Sequence, residues 1–389
     1  MKKKYILLTI SILFILTSCA SLKASDAKFI LKHNERVVAA SFYQAENKLA
    51  TLTNNGTITL WDIDNGGIIG RIETNNSNPV TSLIYTEGGI IIIYNNRNII
   101  MYDPLNIEEP KIRSIPEGTV EKFVYYPEGR RIIFGIADRT TTRSGSGSSI
   151  AINAPGTTEY LQDNRTRETE TTNRKLVSVG FNAGQTVGDI DLPVARYTSV
   201  DSPDSPSIPS GTPSERTIND NLNDMQRRNN EREWEQLKRS YELTSIAIST
   251  DEIIACGFYN GEIIIYNGKT NRQLHRFQNS NDNAVRALAF SSNGRYLLSG
   301  SSDKIIRLWD KENNWSMVTQ RSLVSTDSLF FSPNSDSFIA NTANSFFVVS
   351  TRNGNILRTI EDSGTTSIFY KKNSEIIIIG IRNQSVLIW

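Results

Sequence analysis

Two cysteines and two histidines are all that 389 residues hold of either type. That scarcity excludes a disulfide framework and leaves too few ligands for most zinc sites. A surplus of one charge is also missing, since 42 Lys and Arg face 41 Asp and Glu for a net charge of +1. A nucleic-acid binder needs basic excess to displace counterions from phosphates, so this balance argues against nucleic acid as a partner. No phosphate-cradling glycine loop, Ca²⁺ loop or His/Cys metal spacing occurs. The residues therefore point to no cofactor, no metal and no catalytic group. What is present, 38% hydrophobic and 21% charged residues, is the composition of a folded chain long enough for one large core or two smaller ones.

The first residues read as an address. Lys2, Lys3 and Lys4 precede the apolar run Tyr5–Thr17, which is too short to span a bilayer and suits a secretory signal. The run ends in Leu16-Thr17-Ser18-Cys19, which resembles the lipoprotein box of bacteria. That resemblance implies a signal peptide over 1–18, lipidation of Cys19 as the mature first residue, and a lipidated tether over 19–27. Acyl chains would hold the protein to a membrane at about 0.8 kcal/mol per buried CH₂. The expected location is a bacterial cell envelope, periplasmic or surface-exposed.

Beyond residue 27 the chain repeats itself. Segments ending at Trp61, Tyr102, Tyr266, Trp309 and Trp389 each show an apolar strand, a turn, a second strand, a polar turn and a third strand closing on an aromatic. Val285–Asp310 reads VRALAFSSNGRYLLSGSSDKIIRLWD, and the first copy, VVAASFYQAENKLATLTNNGTITLWD, ends at Asp62 in the same frame. Both resemble the WD-repeat family down to the terminal Trp-Asp. Trp61 lies 41 residues before Tyr102, Tyr266 lies 43 before Trp309, and Trp309 lies 80 before Trp389 with a weak copy closing at Val349 between them. Between Tyr102 and Tyr266 fits one degenerate copy, with strands near Val120–Tyr125, Arg131–Ile136 and Lys175–Val179. The count is seven copies of a length that suits a four-stranded propeller blade.

The expected fold is therefore all-β, a seven-bladed WD-repeat-like β-propeller over 28–389. The last copy lacks a fourth strand, and Lys28–Lys32 is the one left unclaimed. Pairing it beside Ser385–Trp389 would close the ring and remove an edge open to other chains. Nearly continuous isoleucine runs, as at Ile90–Tyr94, Ile263–Tyr266 and Ile376–Ile379, suit strands covered on both faces.

Two insertions account for the surplus length at blade three. One is expected as a loop over 139–173, between the second and third strands. The other, over 193–240, falls between the fourth strand near Thr186–Leu192 and blade four. Strand alternation puts both connections on one face of the ring, and long loops are frequent carriers of function. Ser199–Ser214 should be disordered or extended. Asp220–Tyr241 has near-helical apolar spacing, with Asp220 as an N-cap. Its Met225, Trp234, Leu237 and Tyr241 either pack on the propeller or dock a partner.

The resemblance also assigns a hydrogen-bond set within blades. His33, Thr51, Asn55 and Trp61 fill the His–Ser/Thr–Asp–Trp positions, with Asn for Asp. In blade five Ser299, Asp303 and Trp309 match, and Asn281 takes the His position. Their role is structural, tying strands together. Asn55, Asn96, Asn260, Asp303 and Asn383 each stand six residues before a closing residue and suit tight turns. Cys256 occupies the inward Ser/Thr position and reads as a small buried residue.

The expected function is a non-catalytic protein-protein interaction scaffold. Its partners would be envelope proteins, with the membrane reached through the lipid anchor and the chain itself a monomer. The alternative is a propeller enzyme or ligand sensor with carboxylates converging on the central channel.

Overall fold

The isoleucine runs become strands with a different neighbour on each face. Ile263, Ile264 and Ile265 are all fully buried. Ile264 packs with Ile133, Leu176 and Phe258, while Ile263 and Ile265 pack with Val285, Leu297 and Trp309. Alternate side chains of one strand thus serve two separate cores, as the period of two requires when sheets stack on both sides.

The structure, a computed structural model, describes residues 20–21, 27–43, 46–74, 80–86, 89–94, 98–103, 106–115, 117–126, 130–145, 148–154, 157–163, 166–180, 186–193, 195–200, 225, 228–229, 232–323, 326–342, 345–361, 366–371 and 373–389. Residues 1–19, with the expected signal peptide and Cys19, lie outside this set, as do Asn96, residues 201–224 and the proposed N-cap Asp220.

Among the described residues, seven sheets carry a four-stranded antiparallel path. Blade one comprises Val37–Tyr43, Lys48–Thr53, Thr57–Asp62 and Ile68–Glu73, and blade two Val80–Thr86, Gly89–Tyr94, Asn98–Asp103 and Asn106–Ser114. Blade three is built from Thr119–Tyr126, Arg131–Gly145, Thr166–Gly180 and Thr186–Asp191. Blade four follows with Leu243–Ile248, Ile253–Phe258, Glu262–Asn267 and Arg272–Gln278. Blade five takes Val285–Phe290, Tyr296–Ser301, Ile305–Asp310 and Ser316–Ser322, and blade six Thr326–Phe331, Ser337–Thr342, Ser345–Ser350 and Ile356–Glu361. In blade seven Thr366–Tyr370, Ile376–Arg382 and Ser385–Ile388 are completed from the other end of the chain by Phe29–Lys32.

The expected pairing is present and antiparallel, with Phe29 opposite Ile388, Ile30 opposite Leu387, Leu31 opposite Val386 and Lys32 opposite Ser385. Apolar clusters then bridge each blade to the next around the circle. The last of them joins Leu31, Ile377 and Ile388 of blade seven to Val37, Leu49 and Trp61 of blade one. The described sheets form a closed ring, a β-propeller.

Both insertions depart from expectation. Residues 139–173 are not a loop. The second and third strands of blade three instead continue, paired from Arg131↔Gly180 out to Gly145↔Thr166, and a further hairpin of Ser148–Ala154 with Thr157–Asp163 lies between them. Thr, Ser and Arg dominate this segment, and β-branched threonines favour extended strands. The second insertion is not only loop and helix, for Ala195–Val200 pairs with Arg167–Thr172 on that ribbon. Residues 232–240 are helical, as the apolar spacing predicts. The expected tether over 19–27 also contains structure, since Ala20 and Ser21 run parallel to Ile360 and Glu361 as a fifth strand on blade six.

Candidate interaction face

First strands touch from blade one to two and from blade three through to seven, on the inside of the ring. They run in one direction, so their first residues share one end of the channel. Both insertions leave from that same end, because strands alternate in direction.

Two cavities open there. The larger, about 730 Å³, is bounded by Glu121 of blade three's first strand, by Asp138 and Thr172 of the ribbon base, and by Glu235 and Arg239 of the helix. The smaller, about 320 Å³, shares Arg239 and adds Lys122, Arg286 and Asp327 from three first strands. Both cations and carboxylates line each of them.

An ion pair beneath the larger cavity fixes the helix to blade three. Arg174 Nε donates to Glu121 Oε1 at 2.9 Å and to Oε2 at 3.1 Å, and its Nη2 donates to the Lys238 carbonyl at 3.2 Å. The Leu243 N–H donates to Glu121 Oε2 at 3.0 Å. Arg174 is only 4% exposed. Burial holds the Glu121 carboxyl above its usual range, outweighing the pull of Arg174 and the Leu243 amide. Nothing in the composition of the insertions marks this pair. Arg174 stands one residue before the expected third strand Lys175–Val179 and 53 positions from Glu121, so local spacing does not connect the two.

The four docking candidates separate. Trp234 is buried, at 5% exposure, with Lys238 Nζ 5.4 Å from its ring centroid. Tyr241 is half-buried. Met225 and Leu237 face solvent, at 62% and 38% exposure.

The expected His–Thr–Asn–Trp set is two local groups instead of one network. Trp61 Nε1 donates to Thr51 Oγ1 at 2.8 Å, and His33 lies edge-on to Trp61 with ring centroids 5.3 Å apart. His33 Nε2 is buried without a hydrogen-bond partner. Asn55 serves its own turn, where its Oδ1 accepts from Thr53 Oγ1 at 2.6 Å and from the Thr57 N–H at 3.2 Å. In blade five Trp309 Nε1 donates to Ser299 Oγ at 2.8 Å, while Asp303 accepts from the Ile305 N–H and pairs with Arg307. Asn260 makes the same turn contact to Glu262, and Asn383 adopts a left-handed φ of 50°.

The His position of blade five needs correction. Ser299 Oγ donates to Asn279 Oδ1, not to Asn281. His33 and Asn279 each follow directly on the outer strand preceding their blade, which ends at Lys32 and Gln278. Counting back from Val37 and Val285 fails because the second connection is two residues longer.

Cys256 is fully buried, and burial pushes its thiol far up. It stands opposite Ile264 and beside Tyr266, whose hydroxyl is raised by the same burial. Among the described residues no three His, Cys, Asp or Glu side chains gather as a metal would require.

Residues 271–310 match the family described as WD domain, G-beta repeat. They span the outer strand of blade four and the first three strands of blade five. The fold is a WD-type β-propeller. A chain of the solved structure described as "Crystal Structure of Mitotic Checkpoint Complex" is similar at a TM-score of 0.56 and 13% identity, covering 93% of this chain and 91% of that one. In all, 1545 chains of solved structures match, so the shape by itself selects no activity. No curated protein matches the sequence.

Proposed function

We propose that this propeller is a lipid-anchored, non-catalytic scaffold of a bacterial cell envelope, which docks a protein partner on the blade-three side of one face. The observation that carries the reading is the ribbon of blade three, braced by Ala195–Val200 and by the helix at 232–240. A ring closed by its own N-terminal strand does not need this superstructure for stability. WD-type propellers generally serve as platforms for protein partners, and an elongated ribbon with a polar cleft at its base offers edges and charges that a partner can match. The channel-centred enzyme is less well supported, because Glu242 and Asp327 at the channel mouth stand among Lys122, Arg239 and Arg286.

Arg139 and Thr172 are register partners, so replacing residues 140–171 by an Asn-Gly turn shortens the ribbon and leaves the blade closed. Crosslinking in intact cells, followed by purification and mass spectrometry, should recover a partner with the full chain and lose it with the shortened one. The thermal midpoint should stay nearly constant. Retention of the same crosslinked proteins by the shortened chain would overturn the docking assignment.

A further inference from the structure

We propose that the rim of blade six rests on the anionic surface of the bilayer, so that the ring stands on edge and holds the blade-three ribbon away from the membrane. This rests on the lipid-anchor reading of Cys19 and goes on to specify which surface the anchor brings down.

The seating of the N-terminal segment is the first observation. Ala20 and Ser21 lie in parallel register with Ile360 and Glu361 on the outermost strand of blade six. Ala20, the residue that follows Cys19 in the chain, is thereby held at that rim. Acyl chains on the Cys19 sulfur would enter the bilayer beside blade six.

The rim itself is the second observation, and it does not depend on the anchor. Met317, Val318, Leu357 and Ile30 on the outer strands of blades five, six and seven are each about half accessible, as are outer-strand residues of blades one, two and four. The outer strands of blades five, six and seven expose the cations Arg321, Arg358 and Lys32 and only one carboxylate, Glu361. Apolar side chains flanked by Lys and Arg suit the boundary between acyl chains and anionic headgroups. Blade three has the opposite rim. Its outer strand Thr186–Asp191 carries Asp189 and Asp191 and no cation.

Ring order gives the consequence. Going round from blade six, blade three lies three blades away one way and four the other among the seven described sheets. That is as far from the anchor as the ring allows. A propeller seated on blade six therefore lifts the ribbon and its cleft to the aqueous side, where a partner can reach them.

The experiment uses full-length chain purified from membranes and reconstituted in phosphatidylethanolamine and phosphatidylglycerol vesicles with brominated acyl chains. A fluorophore is placed at Leu357→Cys in one sample and at Asp189→Cys in another, since buried Cys256 is shielded from labelling. The label at 357 should be quenched several-fold more than that at 189. The triple variant Lys32→Gln, Arg321→Gln, Arg358→Gln should narrow that difference. Equal quenching, or stronger quenching at 189, in a chain whose mass shows acylation overturns the orientation and leaves the anchor reading standing. A mature mass without acyl chains overturns both. Seating is read separately by a Ser21→Cys, Glu361→Cys disulfide, which should form in the native chain and equally with Cys19→Ser. Its absence overturns the contact on which the orientation is built.

Discussion

The indole N–H of Trp61 reaches the hydroxyl of Thr51 across two adjacent strands at 2.8 Å, and that hydroxyl passes the bond on to the Thr59 carbonyl at 3.2 Å. Both side chains are buried. Trp309 and Ser299 repeat the relation in blade five, with Asn279 as the final acceptor. The strand pair is thereby fastened through its side chains as well as its backbone ladder.

Thr51→Val keeps the shape and removes the acceptor, leaving the indole N–H buried and unpaired. The expected loss is about 1–3 kcal/mol. Trp61→Phe removes the donor and some volume together. Because each substitution breaks the same bond, the double variant should cost about 1 kcal/mol less than the two singles added. Urea unfolding of all four chains measures this coupling, and strict additivity would contradict it.

The closing strand makes a sharper comparison within two residues. Leu31 is 3% exposed and packs between blades seven and one, whereas its neighbour Ile30 is 48% exposed. Leu31→Ala should cost about 2–5 kcal/mol through the lost contacts and the cavity. Ile30→Ala should stay within about 0.5 kcal/mol, as surface substitutions do. Comparable losses in thermal melts would mean that Phe29–Lys32 does not seal the ring.

This closure was legible in the sequence because a missing fourth strand and a surplus first strand are counted without coordinates. Repeats at a near-constant step of about 40 residues made the blades legible for the same reason. The ribbon was not, since its sequence lacks the apolar alternation that marks a strand: Thr140, Thr141 and Thr142 look like loop residues until Thr171, Glu170 and Thr169 pair with them. Asn279 was hidden by two added residues in a connection. Arg174 with Glu121 was hidden by a separation of 53 positions, which no local pattern encodes.

Acid should act on this fold through His33. Burial, reinforced by the charge of Arg71, holds its imidazole below the usual 6.5. The unfolded chain therefore takes up this proton at higher pH than the folded chain does. Stability from the site is complete above about 6.5 and is lost as pH falls through the folded value. His33→Asn removes the titration. The thermal midpoint of the native chain should drop more steeply than the variant's as pH falls from about 7 to about 5. Parallel curves, or a steeper fall in the variant, would show that His33 is not held neutral by the fold.

The last relationship concerns how the helix is held over blade three. Glu121 pairs with Arg174 in a nearly closed site where burial outweighs the attraction felt by the carboxylate. Such a pair is weak as a source of stability yet costly to break, because either partner alone is left as a buried charge. Glu121→Ala should lower stability by about 3–5 kcal/mol and loosen the helix, because Arg174 also holds the Lys238 carbonyl. Arg174→Met alone should cost less, since the Glu121 carboxyl, already raised, can take up a proton. Glu121→Leu with Arg174→Met should recover most of the loss, because no charge remains to be desolvated. Denaturant unfolding gives the three stabilities, and hydrogen exchange of amides at 232–240 reports the helix directly. A double variant no more stable than Glu121→Ala would show that the pair holds the helix through hydrogen-bond geometry that apolar packing cannot replace.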